Sequence, residues 1–266
     1  MRIDDIRRLA VIGAGQMGSQ IAMQAALHGY AVALHDVSPE QLKKGVAANR
    51  GHLEKRVAKG KLAAAEMEAA LARLTPVADL EDAARSADFV IEAVVEKLDE
   101  KRDVFRRLDA ACPPHAILAT NSSYLGNSLL AGVTSRPDKL VNMHFFYPPL
   151  VMRLVEVVKG EQTSEETVDL AAELARRIGR EPVVLRKELP GFLVNRVLRA
   201  IQGEVYSLLE NGVATFADID RALELGLNFP MGPFKLADFS GLDIGYYSRL
   251  DRYRETGNPA DLPPRA

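Results

Sequence analysis

The stretch LAVIGAGQMGSQIAMQAALHGYAVALHD, residues 9–36, limits the choice of fold more than any other part of the chain. A short apolar run ends in Gly13-Ala14-Gly15-Gln16-Met17-Gly18, a helical stretch follows, and a second apolar run ends in Asp36. Each glycine has its own expected task. Gly13 makes a tight turn, Gly15 lets a pyrophosphate approach the backbone, and Gly18 allows the helix to pack closely on the strand. The helix that opens at Gln16 and Met17 offers unpaired N–H groups and partial positive charge to phosphate. Asp36 is placed for the hydroxyls of the adenosine ribose. The competing reading is a plain tight turn with an Asp that caps the next segment. Strand, helix, second strand and terminal acid all fall in register, which favours dinucleotide binding. Asp36 would repel a 2'-phosphate and no Arg follows it closely, so NAD is expected rather than NADP.

The rest of the chain extends this unit. Up to about residue 187, apolar runs alternate with amphipathic helical stretches: LAVIG, AVALHD, DFVIEAV, AILATN, LVNMHFF, RLVEVV and PVVL. That alternation predicts a doubly wound α/β domain, a mainly parallel sheet covered on both faces, over residues 1–187. From 188 to 266 the period changes. Apolar residues at 194, 197, 198, 201, 205, 208 and 209 lie on one stripe of a helix. Thr215 is expected to cap another helix, with Asp218 three residues on. No further strand is expected, so the second domain reads as smaller and all-helical. A chain of 266 residues is long enough for two unequal domains. Its net charge of -2 calls for neither nucleic acid nor an anionic membrane. The single cysteine, Cys112, excludes an internal disulfide and cysteine-only metal sites, and no metal is expected. No signal-peptide segment and no membrane-length apolar stretch is evident, so a cytoplasmic location is expected.

Two further stretches carry chemistry. In AILATNSS a buried run ends in Asn121-Ser122-Ser123, and open α/β sheets bind ligands beyond the carboxyl ends of their strands. A helix cap or Asx turn explains the same residues equally well. In VNMHFFYPPLVMRLVEVV, residues 141–158, two apolar runs flank Pro148-Pro149, and each holds one misfit, His144 and Glu156. Taken alone, a buried histidine is more often a core residue bonded to a carbonyl. A carboxylate inside a strand needs a partner. If the turn brings the two runs together, Glu156 can fix the tautomer of His144 and stabilise its imidazolium, which makes a positioned general base.

These motifs together resemble the L-3-hydroxyacyl-CoA dehydrogenase family, in particular its short bacterial 3-hydroxybutyryl-CoA type. The pieces that carry the resemblance are VIGAGQMGSQIA, VIEAVVEKLDEKRDVFRRLD, LATNSSYL, HFFYPPLVMRLVEVV, PGFLVNRVL and NFPMGPFKLADFSGLD, and they cover nearly the whole chain. The resemblance implies His144 as catalytic base, Glu156 as its partner, Ser123 on the substrate 3-oxygen and Asn195 on the other side of the substrate. It places Glu96 and Lys101, and with them Asn121, near NAD. It also implies an acyl-CoA substrate and a homodimer formed through the helical domain. Lys55, Arg56, Lys59 and Lys61 lie where the family binds the CoA nucleotide, although a solvated basic face accounts for them as well. Two departures stand out. Tyr147 replaces the family's usual Asn beside the acyl pocket, and the family's further helix and glycine-rich tail after NPADLPPRA are expected but not present in this sequence. The rival readings are a sugar-acid or carnitine dehydrogenase, which would share the glycine loop and the His/Glu pair, and a non-catalytic NAD-binding protein, which would not need Ser123, His144, Glu156 and Asn195 together.

Overall fold

The computed structural model describes residues 1–242, together with 246, 247, 249, 250, 253, 254, 257 and 262. The described chain divides into two compact units, Met1–Phe192 and Leu193–Ala266.

The first unit is built on one eight-stranded sheet. Its strands are β1 (Arg8–Ile12), β2 (Ala31–His35), β3 (Leu74–Val77), β4 (Phe89–Glu92), β5 (Ile117–Thr120), β6 (Leu140–Phe145), β7 (Leu154–Val158) and β8 (Glu181–Leu185). They lie in the order β3-β2-β1-β4-β5-β6-β7-β8. Neighbours are parallel except β6 and β7, which pair antiparallel. Helices α1 (Gln16–Leu27), α2 (Pro39–Ala58), α3 (Ala64–Ala72), α4 (Leu80–Ala84), α5 (Leu98–Ala111) and α6 (Glu165–Arg177) cover it.

Both faces are covered because successive strand side chains point to opposite sides. In β1, Leu9 and Val11 join Ile21 and Met23 of α1 and Leu174 of α6 in one buried cluster. Ala10 and Ile12 join Leu80 of α4 and Phe105 and Leu108 of α5 in the other. Each large side chain buried in this way contributes about 1.5–3 kcal/mol. The order of strands reverses between β1 and β4, and the crevice beyond their carboxyl ends is where such sheets bind ligands.

The alternation of apolar runs matches seven of the eight strands. The eighth, β3, has the sequence LTPV and was not expected as a strand. It pairs only with β2, and at this sheet edge Pro76 loses no ladder hydrogen bond for want of an N–H.

The second unit contains α7 (Val194–Glu210), α8 (Phe216–Leu227) and α9 (Pro233–Ser240). Thr215 caps α8 as expected, accepting from Asp218 N at 3.2 Å. Asn228, at φ 56°, ends that helix in the left-handed conformation that its short amide side chain tolerates. Buried Asp220 of α8 accepts from Phe234 N at 2.9 Å and Lys235 N at 3.0 Å, so one helix caps the start of another. The apolar stripe of α7 is only partly covered: Val205 is buried, but Val197 is exposed. Asp243, at the end of the NFPMGPFKLADFSGLD motif, lies outside the described residues.

Candidate active site

The glycine loop connects β1 to α1. Gly13 has φ 105°, and a Cβ there would sit 2.5 Å from the Ala93 carbonyl oxygen. A Cβ on Gly18 would fall 1.8 Å from the Gly13 carbonyl oxygen, so only hydrogen fits where helix crosses loop. Gly15 differs, since a Cβ there would meet nothing within 4 Å. The space above Gly15 is therefore open, and no side chain caps α1 behind it. Gln16 is exposed and Met17 half-buried in the first turn. This combination of open backbone and uncapped helix N-terminus fits a pyrophosphate.

Asp36 follows β2. Its carboxylate accepts from Ala14 N at 2.8 Å and from Ser38 N at 2.9 Å, while Ser38 itself caps α2. Asp36 thus braces the glycine loop as well as the turn into α2. Each oxygen keeps a lone pair for a ribose hydroxyl, so the bracing and ligand-binding roles are compatible.

The register of the β6–β7 hairpin sets His144 directly opposite Glu156. Both side chains are buried, at 4% and 0% exposure. The Nδ1–H of His144 donates to Glu156 Oε2 at 2.7 Å, which leaves the Nε2 lone pair facing the end of β5. The Ser123 hydroxyl donates to that Nε2 at 3.1 Å. Two rings hold the imidazole, Phe146 at 4.5 Å and Phe192 at 5.5 Å between centroids. Phe192 is buried with φ 46°, a costly conformation for an aromatic residue that this packing maintains.

The Asn121-Ser122-Ser123 turn is tied down from several sides. Asn121 Oδ1 accepts from Phe145 N at 2.9 Å, and the Asn142 amide donates to the Ser122 carbonyl at 3.0 Å. Glu96 accepts from the Ser122 hydroxyl, from Ser123 N at 3.2 Å and from Tyr124 N at 3.3 Å. Burial works against the Glu96 charge, but the Lys101 ammonium at 3.2 Å and these donors hold its carboxyl below the ordinary value. Lys101 is itself buried and donates to Glu92 at 2.6 Å.

The structure therefore brings Ser123, His144, Glu156, Glu96, Lys101 and Asn121 together at the carboxyl ends of β4, β5 and β6. Asn195 lies in the first turn of α7 in the second unit and is half-buried. Lys55 and Arg56 end α2, Lys59 caps it and Lys61 follows; the three lysines are exposed and Arg56 is half-buried. Arg180, just before β8, donates to the Pro149 carbonyl at 2.6 Å in the β6–β7 connection. Burial pushes the Arg180 pKa down, and the fields of Arg56 and Arg153 add to the effect. Tyr147, in that connection, is exposed, as are Val151 and Met152.

Glu92, Thr120, Asn142 and Phe192 were not expected as site residues. Glu92 did carry a signal, since it is a carboxylate inside the apolar run DFVIEAV, as Glu156 is inside RLVEVV.

Comparison with known proteins extends this picture. Residues 8–189 match the family model described as 3-hydroxyacyl-CoA dehydrogenase, NAD binding domain, and residues 191–265 match the C-terminal domain of the same family. The chain is 43% identical to a probable 3-hydroxybutyryl-CoA dehydrogenase of Bacillus subtilis, over 90% of this chain and 83% of that protein. It is 42% identical to the 3-hydroxyadipyl-CoA dehydrogenase of Escherichia coli over 91% of this chain, which spans only 50% of that longer protein. The crystal structure of (S)-3-hydroxybutyryl-CoA dehydrogenase from Ralstonia eutropha superimposes with a TM-score of 0.90 at 37% identity, covering 97% of this chain and 91% of that one.

Proposed function

Because the chain belongs to the 3-hydroxyacyl-CoA dehydrogenase family, we propose that it oxidises an L-3-hydroxyacyl-CoA to the 3-ketoacyl-CoA, reversibly, with His144 as general base. The observation that carries this reading is the line from Ser123 Oγ to His144 Nε2, at 3.1 Å, and from His144 Nδ1 to Glu156 Oε2, at 2.7 Å. Nε2 takes the proton of the substrate 3-hydroxyl. Glu156 holds the tautomer that makes this possible and stabilises the charge that develops on the ring. The Ser123 hydroxyl, released from Nε2, donates to the same substrate oxygen. The amide of Asn195 is assigned a second hydrogen bond to the substrate. NAD, bound at the glycine loop, supplies the acceptor for the hydride that leaves C3. Phe146 and Phe192 keep water from the imidazole and hold its plane.

The substrate's CoA part is assigned to the basic residues Lys55, Arg56, Lys59 and Lys61 at the end of α2, with Arg180 holding the β6–β7 connection through the Pro149 carbonyl. Exposed Val151 and Met152 on that connection offer apolar surface for an acyl chain, and Tyr147 stands beside them. The second unit is assigned to a homodimer interface. In the single chain Phe216, Leu225, Leu227 and Phe239 are exposed, and a cavity of about 840 Å³ opens among Tyr206, Phe216, Leu225 and Phe234. Among the described residues no helix is long and apolar enough to cross a membrane.

The test is loss of the NADH absorption band on adding acetoacetyl-CoA. Turnover with the thioester and little with free acetoacetate is the expected result. Binding of NADH without turnover would make the protein a sensor. Equal efficiency on thioester and free acid would move the substrate to small hydroxy acids.

A further inference from the structure

Lys101 stands in the first turn of α5 and is 1% exposed. That is a poor place for a cation, because a helix start carries partial positive charge and burial removes water. Two carboxylates answer it. Glu96 Oε2 lies 3.2 Å from the ammonium and Glu92 Oε1 lies 2.6 Å from it. The two are not equivalent. The Glu96 side chain is 41% exposed and reaches the Ser122-Ser123-Tyr124 turn. The Glu92 side chain is wholly buried at the end of β4 and contacts none of the residues assigned to substrate.

Glu92 is instead an anchor. Its Oε1 accepts from Lys101 and from Val94 N at 2.7 Å, and its Oε2 accepts from the Thr120 hydroxyl at 2.7 Å. Thr120 sits opposite Glu92 in the β4–β5 register, and its hydroxyl also accepts from Ser122 N at 3.2 Å. Two routes thus run from one buried carboxylate to the turn that carries Ser123. One passes through Thr120 to Ser122 N. The other passes through Lys101 and Glu96 to the amides of Ser123 and Tyr124.

We propose that Glu92 is a positioning residue for the reaction: it neutralises Lys101 from below, which leaves Glu96 to hold the Ser122-Ser123-Tyr124 turn and with it the Ser123 hydroxyl against His144. Without the Glu92 charge, the buried ammonium is left to Glu96, which is drawn off the turn. This inference rests on the assignment of Ser123 and His144 to the reaction.

The test compares Glu92→Gln, Glu96→Gln and the double variant Glu92→Gln/Lys101→Met, which removes both buried charges at nearly constant volume. In ligand-free, ¹⁵N-labelled protein, Glu92→Gln should move the amide resonances of Ser123 and Tyr124 toward their positions in Glu96→Gln. The double variant should return them toward wild type, because the ammonium that competes with the turn for Glu96 is gone. With acetoacetyl-CoA, Glu92→Gln should lower kcat about tenfold, the scale expected when a reacting group is displaced by a fraction of an ångström. Its KM for the thioester should stay within about twofold, since Glu92 makes no substrate contact. Unmoved amides in Glu92→Gln, or a double variant further from wild type than the single, would overturn the proposal. So would failure of both variants to fold, since the pair would then be an element of folding alone. If wild-type protein did not turn over acetoacetyl-CoA, the substrate reading would fall, while the amide shifts would still decide the role of Glu92.

Discussion

The two halves of the site are made of different material. The cofactor half, from Gly13 to Asp36, is largely backbone: an open loop above Gly15, an uncapped helix start and one carboxylate, all within a single strand-helix-strand unit. The half we assign to the reaction is made of side chains on or just after β4, β5, β6, β7 and on α5, brought together by strand register. A backbone site is written as a local motif. A side-chain site is written as pairings between distant segments, and it becomes visible only once the register is known. The two halves should therefore fail separately when altered.

The largest effect is expected at the imidazole. His144→Gln keeps an amide of similar reach but cannot take the proton, and turnover should fall by roughly 10²-fold or more. Glu156→Gln should also be severe, because the tautomer and the charged ring both lose their partner 2.7 Å away. Affinity for NADH, measured by its fluorescence, should change little in either variant. Near-normal turnover in His144→Gln would return the histidine to an ordinary core role, and a large loss of NADH affinity would break the separation between halves.

A smaller effect is expected at Asp36, on the other side of that divide. Like charges brought together at the ribose cost on the order of 1.4 kcal/mol, so NAD should be preferred over NADP by at least about tenfold. Asp36→Ala should weaken NAD binding and narrow the preference, read as kcat/KM with each cofactor. It also removes the brace on Ala14 N, so some loss with both cofactors is expected. Equal use of NAD and NADP by the unaltered protein would refute the assignment.

The same contrast explains what could be read from the sequence. The doubly wound sheet, the glycine loop and the Thr215 cap follow from local pattern and agree with the structure. His144 and Glu156 were legible because a short connection joins their strands and each interrupts an apolar run. Glu92 interrupts its run in the same way, but its partner is on a helix whose first turn folds back over the end of β4, a closure that no periodicity reveals. Asn142 and Thr120 bond across neighbouring strands and look in sequence like ordinary polar residues near strand ends. Phe192 reads as one more apolar residue. Its left-handed backbone and its contact with His144 depend on the turn over residues 189–192, which no periodicity reveals. β3 was lost to its proline, a residue an edge strand accepts.

The smallest effect is expected where neither kind of encoding is strong. Lys55, Lys59 and Lys61 are exposed and Arg56 is half-buried. Exposed charges act through a screened field, with a reach of about 10 Å at 0.1 M salt. Arg56 stands apart, because it is half-buried and close enough to Arg180 to lower that residue's pKa. Neutralising all four residues should raise KM for acetoacetyl-CoA by several-fold and flatten its dependence on salt, with turnover largely kept, because the contacts are remote from the reacting carbon. Restoring Arg56 alone should recover more of the KM than restoring any one lysine. If the four-site variant had an unchanged KM and the same salt dependence, these residues would be a solvated surface, and the CoA nucleotide would have to be held elsewhere.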